Sequence, residues 1–204
     1  MNTPELIQAA ETKLRALDPV LGSLITSQEP IVYTPRTDYF SSLCRSILGQ
    51  QVSVASAATV FARLETSTHM TVATIAALTP DQAKTIGLSR QKYSYLKDLA
   101  AHFVNNPHVY DHLEEQSDQQ VITELTAVKG IGIWTAQMFL MFTLTRLDVF
   151  APADIGLTRA MKLLYKWDDT PDKQELERVS DQWRPYRTVA CWHLWKSLHV
   201  TPGQ

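Results

Sequence analysis

Helix start signals recur along the whole of this 204-residue chain, and they constrain its fold more than any other feature. Apolar residues follow these signals at helical spacing, whereas no segment shows the strict alternation of a half-buried strand. We therefore predict an all-α protein of about ten helices joined by short loops. The signals are Thr3-Pro4, Asp18-Pro19, Thr37-Asp38 and Thr170-Pro171, with a capping box at Thr79-Pro80-Asp81-Gln82 that Gly87 closes.

Between the start signals, the residue pattern divides the chain into segments of different character. The segment from Val52 to Leu64 is rich in alanine, which favours close packing of helices. Residues Asn105 to Gln116 are rich in His, Asn and acids and are predicted to form a loop. The remaining predicted helices are Ser89 to Val104, Asp118 to Ala127, Trp134 to Thr145, Asp154 to Tyr165 and Pro185 to Leu198.

Composition excludes several classes of protein. The two cysteines, Cys44 and Cys191, are too few for a disulfide framework, a four-cysteine zinc site or a four-cysteine iron–sulfur cluster. Both lie in apolar helical segments and are predicted to be buried thiols. No stretch approaches the apolar length that spans a bilayer, so we expect no membrane partner. The formal charge of −2 means that any binding of nucleic acid must come from a local site.

The most informative segment is Val128-Lys129-Gly130-Ile131-Gly132, which joins two predicted helices. Glycine allows a tight turn and lets the backbone approach a partner closely. The helix that starts after the turn presents unpaired N–H groups and the positive end of its dipole, so the turn can bind an anion beside Lys129. An ordinary helix–helix turn is the alternative interpretation. A dinucleotide fingerprint is disfavoured because no strand precedes the glycines.

Asp154 stands where the next helix begins, after Phe150-Ala151-Pro152. Aspartate is a favoured N-cap, so a purely structural role is the first interpretation. Two other groups of residues allow more than one interpretation. His108, Asp111, His112, Glu114 and Glu115 could bind a metal, but a solvated acidic surface is favoured. A set of cationic side chains either contacts phosphates or is simply exposed to solvent: Arg90, Lys92, Arg159, Lys162 and Arg187.

Taken together, these motifs resemble a known family. The turn resembles a helix-hairpin-helix, and its combination with Pro152 and Asp154 resembles the HhH-GPD superfamily of base-excision DNA glycosylases, in its 3-methyladenine DNA glycosylase II branch. The resemblance runs from about Thr37 to Leu198. It is also carried by Ile47-Leu48-Gly49-Gln50-Gln51-Val52-Ser53, by Gly87-Leu88-Ser89-Arg90-Gln91-Lys92, and by Trp183-Arg184-Pro185-Tyr186-Arg187 with Trp192 and Trp195.

The resemblance implies one HhH-GPD unit over residues 1–204, made of two helical lobes with the active-site cleft between them. The central lobe would cover about 38–145 and include the helix-hairpin-helix at 118–145. The second lobe would combine about 1–37 with 146–204. Members of the family flip a damaged nucleotide out of the duplex and cleave its N-glycosidic bond.

The resemblance also implies roles for single residues. Asp154 would be the catalytic carboxylate, which stabilises the charge that develops on the sugar or activates water. Relatives that also cut the backbone carry a lysine where this chain has Trp134, so a monofunctional enzyme is implied. Trp134 and Trp195 would line the base pocket, with core packing as the alternative. Gln50 and Gln51 would fill the gap left by the flipped base, with helix capping as the alternative.

For the hairpin, the resemblance implies contacts with the DNA backbone at Lys129, Gly130, Ile131, Gly132 and Thr135. The backbone carbonyls of Thr126, Val128 and Ile131 would hold a monovalent cation, Na⁺ or K⁺, that bridges to a phosphate. No organic cofactor or transition metal is implied.

The function implied is removal of alkylated purines, of the 3-methyladenine and 7-methylguanine type, from double-stranded DNA. The alternatives are a glycosylase for ethenoadenine, hypoxanthine or uracil, and a helix-hairpin-helix protein that binds damaged DNA without catalysis. We expect a monomer, in the nucleoid and cytoplasm of a bacterium or in the nucleus of a eukaryote.

Overall fold

The computed structural model describes residues 3–33, 36 and 38–199, and all regular secondary structure in these ranges is helical, which confirms the all-α prediction. The chain ends and Thr37 lie outside the described residues. The α-helices are α1 (Thr3–Leu17), α2 (Pro19–Ser27), α3 (Tyr39–Gly49), α4 (Val54–Thr68), α5 (Val72–Ala77), α6 (Pro80–Ile86), α7 (Arg90–Asn105), α8 (Pro107–Asp111), α9 (Asp118–Thr126), α10 (Ile133–Phe142), α11 (Ile155–Tyr165), α12 (Lys173–Ser180) and α13 (Arg187–Ser197). Leu113–Glu115 and Asp181–Trp183 are 3₁₀ turns.

Most helices begin where the capping signals predict. Asp18 accepts hydrogen bonds from the amides of Val20 and Leu21 and begins α2. Thr79 and Gln82 form a reciprocal capping box, and Gly87 ends α6 in a left-handed conformation. These ends are local events between residues two to four apart, which is why the sequence predicts them.

Two predictions about helices are wrong. The segment Asn105 to Gln116 contains α8 and a 3₁₀ turn instead of a loop, because Pro107 at the first helical position presets the backbone for a short helix. The helix expected at Thr170-Pro171 begins later, after Asp172, whose carboxylate accepts from the Glu175 amide at 2.8 Å. Helix α8 and the short α5, which were not predicted, bring the described part of the chain to thirteen α-helices instead of about ten.

Residues Arg36–Leu144 form one compact unit, which holds α3 to α10. In its core, α3 packs on α4, α7 and α10, and Leu43, Cys44 and Ile47 of α3 are completely buried. Helices α9 and α10 pack on each other across the predicted hairpin. The unit therefore presents the hairpin and the end of α3 on one continuous core.

The second compact unit combines the N-terminal segment with the residues from Thr145 onward. Helix α1 packs along α2, and α13 packs on α1, α2 and α11. Eight consecutive residues of α13, from Thr188 to Trp195, are buried. A helix that is buried on all sides is the centre of its unit, so residues on α13 have fixed positions.

The alanine-rich segment does not pack as predicted. Ala55 and Ala58 of α4 are exposed and Ala57 is half-buried, so these small residues leave space at the surface.

Both cysteines are buried as expected, and burial raises the pKa of each thiol well above its usual range. Among the described helices, none is long and apolar enough to cross a membrane.

Candidate active site

Asp154 is the N-cap of α11, as the sequence predicts. Its Oδ1 accepts a hydrogen bond of 2.7 Å from the Leu157 amide, and its own amide donates to the Ala151 carbonyl at 3.0 Å. The residue is only 7% exposed. The carboxylate is therefore held at a helix N-terminus, where the dipole and the amide both favour negative charge.

Trp195 of α13 holds the same oxygen. Its indole nitrogen donates to Asp154 Oδ1 at 2.9 Å. The Trp195 side chain is 1% exposed, so in this structure it has no open face on which a base could stack. Of the two interpretations given for Trp195, this burial favours core packing over a base pocket, and the indole contacts the carboxylate directly.

Sequence reasoning missed Gly156, which lies against both of these side chains. A Cβ atom at this position would lie 3.0 Å from Asp154 Oδ1 and 3.2 Å from Cδ1 of Trp195. The glycine therefore leaves the space in which the carboxylate and the indole meet. The only signal in the sequence is a glycine inside the first turn of a helix, where it is otherwise unfavourable.

The loop that leads to Asp154 is fixed to α13 by Thr188, which is completely buried. The Thr188 hydroxyl donates to the Arg146 carbonyl at 2.6 Å and accepts from the Val149 amide at 3.0 Å. The Thr188 amide donates to the Leu147 carbonyl at 2.9 Å. The same helix therefore positions Trp195 and the loop that precedes Asp154.

Arg187 reinforces this attachment. Its Nε donates to Asp148 Oδ1 at 2.7 Å, its Nη2 donates to the Asp148 carbonyl at 2.7 Å, and its side chain is 16% exposed. Of the two roles weighed for Arg187, phosphate contact and surface cation, the structure supports neither, because the guanidinium is committed to Asp148 inside the protein.

The predicted hairpin is present between α9 and α10. Gly130 has a φ of 85°, and a Cβ there would collide with the ring of Tyr95, so both the backbone and the packing require glycine. Gly132 is the N-cap of α10, and apart from its chain neighbours no described residue has an atom within 4 Å of the position that its Cβ would take. The protein itself therefore gives no steric reason for glycine at 132, and the start of α10 is open to a partner.

The other hairpin residues differ in exposure. Ile131 is 4% and Thr135 7% exposed, so their side chains belong to the interior. Lys129 has an exposed side chain, but its amide donates to Asp98 at 2.8 Å and its Nζ lies 3.2 Å from the same carboxylate. Burial opposes ionisation of Asp98, yet these contacts with Lys129 hold its pKa below the usual value. Lys129 therefore also anchors the turn to α7.

Gln50 and Gln51, at the end of α3, have different surroundings. The Gln50 side chain donates from Nε2 to the Gly130 carbonyl at 2.7 Å, and its amide caps α3. Gln51 is exposed and has a φ of 56°, a left-handed conformation that is uncommon for this residue type. Gln50 thus ties α3 to the hairpin, whereas Gln51 projects from the surface.

Trp134 lies in the first turn of α10 and is 39% exposed, next to Ile133, which is 62% exposed. An aromatic ring with this exposure can stack on a partner. The unit Arg36–Leu144 contains the hairpin, Trp134, Gln50 and Gln51. The other unit contains Asp154, Gly156 and Trp195.

Two places in the described structure offer oxygen or nitrogen ligands to an ion. At the hairpin, the Val128 carbonyl accepts the Ile131 amide at 3.1 Å, which leaves one of its lone pairs for a cation. Of the five polar residues around His108, the structure brings together His112, Glu114 and Glu115, with ligand atoms within 4.8 Å of one another. All three are exposed, and Tyr39 donates to Glu114 at 2.8 Å, in keeping with a solvated surface.

The family described as HhH-GPD superfamily base excision DNA repair protein matches residues 44–185. The DNA-3-methyladenine glycosylase of Saccharomyces cerevisiae is 30% identical over 224 residues, which cover 88% of this chain and 75% of that protein.

Solved structures agree with these matches. The crystal structure of DNA-3-methyladenine glycosidase from Bacillus halodurans has a TM-score of 0.83 and 33% identity, covering 92% of this chain and 88% of that one. The Schizosaccharomyces pombe 3-methyladenine DNA glycosylase in complex with abasic DNA has a TM-score of 0.79 and 27% identity, covering 96% of this chain and 98% of that one.

Proposed function

The chain belongs to the HhH-GPD superfamily of base excision DNA repair proteins, and we propose that it is a DNA glycosylase that removes alkylated purines with Asp154 as its catalytic carboxylate. The observation that carries this proposal is the orientation of Asp154. One of its oxygens is held by the Leu157 amide and by the Trp195 indole, within a buried and rigid setting. Relatives with a similar chain are named as 3-methyladenine DNA glycosylases.

The chemistry needs such a carboxylate. When the N-glycosidic bond breaks, positive charge develops on the sugar, and a fixed negative group stabilises it without reorganisation. The same group can accept a proton from the attacking water. Alkylated purines carry positive charge and are good leaving groups, so no strong general acid is needed to protonate the base.

Trp134 supports a hydrolytic reaction without strand cleavage. At this position the lyases of the family carry a lysine that forms a Schiff base, and tryptophan has no amine. Its exposed ring instead suits stacking on an electron-poor, cationic base. We therefore expect the product to be an intact strand with an abasic site.

The Arg36–Leu144 unit supplies the binding of double-stranded DNA in this proposal. The open N-terminus of α10 at Gly132 binds a backbone phosphate through amides and the helix dipole. Gln51 is the side chain that fills the gap, since Gln50 is committed to Gly130. A monovalent cation on the carbonyls of Thr126, Val128 and Ile131 would add positive charge, and exchange of K⁺ for tetramethylammonium would then weaken binding. The enzyme acts as a monomer on nucleoid or nuclear DNA.

The test compares Asp154→Asn with Asp172→Asn. Asp172 is an exposed N-cap in the same unit, so its substitution controls for the loss of a charge at a helix start. Methylated genomic DNA is incubated with each protein, and the released bases are identified by chromatography. We expect Asp154→Asn to slow release of methylpurines by at least about 100-fold while binding of DNA is nearly kept, and Asp172→Asn to match the wild type.

The same experiment separates the alternatives. Release of ethenoadenine, hypoxanthine or uracil in place of methylpurines would change the lesion but keep the reaction. Absence of any free base from the wild type, with lesion binding intact, would identify a binding protein. Retained release by Asp154→Asn would contradict the catalytic assignment, and strand cleavage or borohydride trapping would contradict the monofunctional one.

A further inference from the structure

A cavity of about 320 Å³ lies between α3 and α4, at the end of α3 that leads to Gln50 and Gln51. Its lining includes Arg36, Arg45, Leu48, Gly49 and Phe61. None of these residues takes part in the candidate site described above. The cavity lies entirely within the unit Arg36–Leu144.

The cavity is positively charged. The guanidinium carbon of Arg45 lies 3.6 Å from the centroid of the Phe61 ring, so one face of the group is packed on the aromatic ring and its orientation is fixed. Burial, and then the nearby charge of Arg36, lower the pKa of Arg45, while Glu65 opposes this effect. Guanidinium groups stay protonated in proteins, so Arg36 and Arg45 bring two positive charges to the lining of the cavity.

The walls leave room for an anion. On α4, the cavity is lined by Ala57 and Ala58, the residues that were expected to pack closely and do not. On α3, among the described residues outside its own helix and its chain neighbours, none has an atom within 4 Å of a Cβ built on Gly49. Two planar guanidinium groups beside small residues suit a phosphate, whose oxygens accept paired N–H bonds from arginine.

The position of the cavity indicates where the phosphate comes from. Gly49 is two residues from Gln51, so their Cα atoms are at most about 7 Å apart. Lys92 of α7 donates from Nζ to the Leu48 carbonyl at 2.5 Å and fixes the backbone between the cavity and Gln51. The end of α3 therefore carries both the wall of the cavity at Gly49 and the exposed Gln51.

We propose that Arg36 and Arg45 bind one phosphodiester of the DNA backbone in this cavity, beside the nucleotide gap that Gln51 fills. The inference rests on the proposed DNA-binding role of Gln51 and the hairpin. The unit Arg36–Leu144 would then bind backbone phosphates of the duplex at two places, this cavity and the start of α10.

The experiment measures binding to a duplex with a stable abasic analogue over a range of NaCl concentrations. The variants are Arg36→Gln, Arg45→Gln and the double variant, and the control is Arg178→Gln, an exposed arginine of the other unit. Each phosphate contact contributes about 0.9 to the slope of log K against log salt. We expect the slope to fall by about 1 in the double variant, since the pair binds one phosphate, and to be unchanged in the control.

A second arm locates the phosphate and excludes a free anion. Single phosphates near the lesion are replaced by neutral methylphosphonate. At one position, the substitution should weaken the wild type by the same factor as the arginine substitutions and should not weaken the double variant further. If inorganic phosphate raises the Tm of the wild type at matched ionic strength but the DNA slopes of wild type and variants agree, the cavity binds a free anion and the proposal is wrong.

Two controls keep the outcomes distinct. Arg36 belongs to no helix, so Arg36→Gln should fold even if Arg45→Gln loses its packing on Phe61. Arg45→Lys keeps the positive charge and should keep the slope of log K against log salt. Release of base by the wild type reports on the proposed function independently. No base release would overturn that function, whereas release with identical salt slopes in all variants would overturn only the phosphate site.

Discussion

Asp18 and Asp154 are two buried aspartates that begin helices and accept a hydrogen bond from a tryptophan, yet their surroundings differ. Asp18 is 6% exposed; its Oδ1 accepts from the amides of Val20 and Leu21, each at 3.0 Å. Its Oδ2 accepts from the Tyr165 hydroxyl at 2.5 Å and from Trp183 at 3.0 Å. At Asp154, by contrast, the Leu157 amide and the Trp195 indole both donate to Oδ1.

The difference lies in how the donors are distributed: at Asp18 they reach both carboxylate oxygens, whereas at Asp154 two donors meet on Oδ1. At Asp18, protein donors use both oxygens, so the group links α2, α11 and the 3₁₀ turn at Trp183 and has a structural role. Burial opposes ionisation of Asp18, but the hydrogen bonds from Trp183, Tyr165 and the two amides bring its pKa below the usual value. At Asp154, two donors on one oxygen fix the rotation of the carboxylate, which suits a group that must face a reacting sugar.

The largest expected effect comes from exchanging each aspartate for asparagine. In Asp18→Asn, the amide NH₂ must face either two backbone N–H groups or the Trp183 N–H, so a buried donor is left opposite a donor. We expect a loss of about 1–3 kcal/mol in the free energy of unfolding, with the rate per folded molecule unchanged. Asp154→Asn can keep its carbonyl oxygen at the Oδ1 position, so it should lose activity and much less stability.

Urea unfolding and single-turnover base release measure these two effects. The comparison fails if both variants lose stability and activity in the same proportion, because the two carboxylates would then share one role.

The tryptophan partners give the next largest effect. Trp195→Phe keeps an aromatic ring but removes the donor to Asp154, so the carboxylate can rotate; we expect kcat to fall about tenfold with KM nearly unchanged. Trp183→Phe removes one donor from Asp18 and should lower only the stability. Steady-state kinetics on a defined methylpurine duplex test the pair, and equal kcat values for the two variants would show that Trp195 is merely structural.

The sequence predicts the two aspartates equally well and cannot distinguish them. The N-cap rule depends on neighbouring residues, and both carboxylates obey it. Their other partners are distant in the chain: Trp183 lies 165 residues from Asp18, and Trp195 lies 41 residues from Asp154. Only the packing of α13 and its neighbours brings these pairs together, and no local pattern carries that information.

The hairpin shows the same limit. Its turn is predictable because the left-handed backbone of Gly130 is a local requirement. The Tyr95 ring against Gly130 and the Gln50 amide on its carbonyl come from other helices and were not predicted. Gly156 was missed for a related reason, since its importance lies in the two side chains that it leaves room for.

A smaller effect on activity or stability is expected when a methyl group is added inside the helix that each aspartate begins. In Gly156→Ala, the Cβ would meet Asp154 Oδ1 at 3.0 Å, and a shift of a few tenths of an ångström should slow base release about three- to tenfold. Alanine is favoured over glycine in a helix by about 1 kcal/mol, so the stability should change little. Gly22→Ala in α2 is the matched control.

In Gly22→Ala, the Cβ would lie 2.9 Å from the Cα of Arg15, which is backbone and cannot rotate away. This variant should lose about 1–3 kcal/mol of stability and keep the rate of base release. A Gly156→Ala enzyme with the wild-type rate would show that the geometry around Asp154 tolerates displacement.

The smallest effect is a dependence of stability on pH that belongs to Asp18. Its pKa is lower in the folded protein than in the unfolded chain, so the unfolded state takes up the proton first as the pH falls. The stabilisation is therefore complete above the unfolded pKa of about 4 and is lost as the pH falls through the lower folded value. Urea unfolding of wild type and Asp18→Asn between pH 3 and 7 should show a difference that is constant at neutral pH and shrinks below pH 4. The free energy of unfolding of Asp172→Asn, which changes an exposed cap, should differ much less from that of the wild type. If the difference in this free energy between wild type and Asp18→Asn does not change with pH, the charge of Asp18 contributes nothing to holding α2 in place.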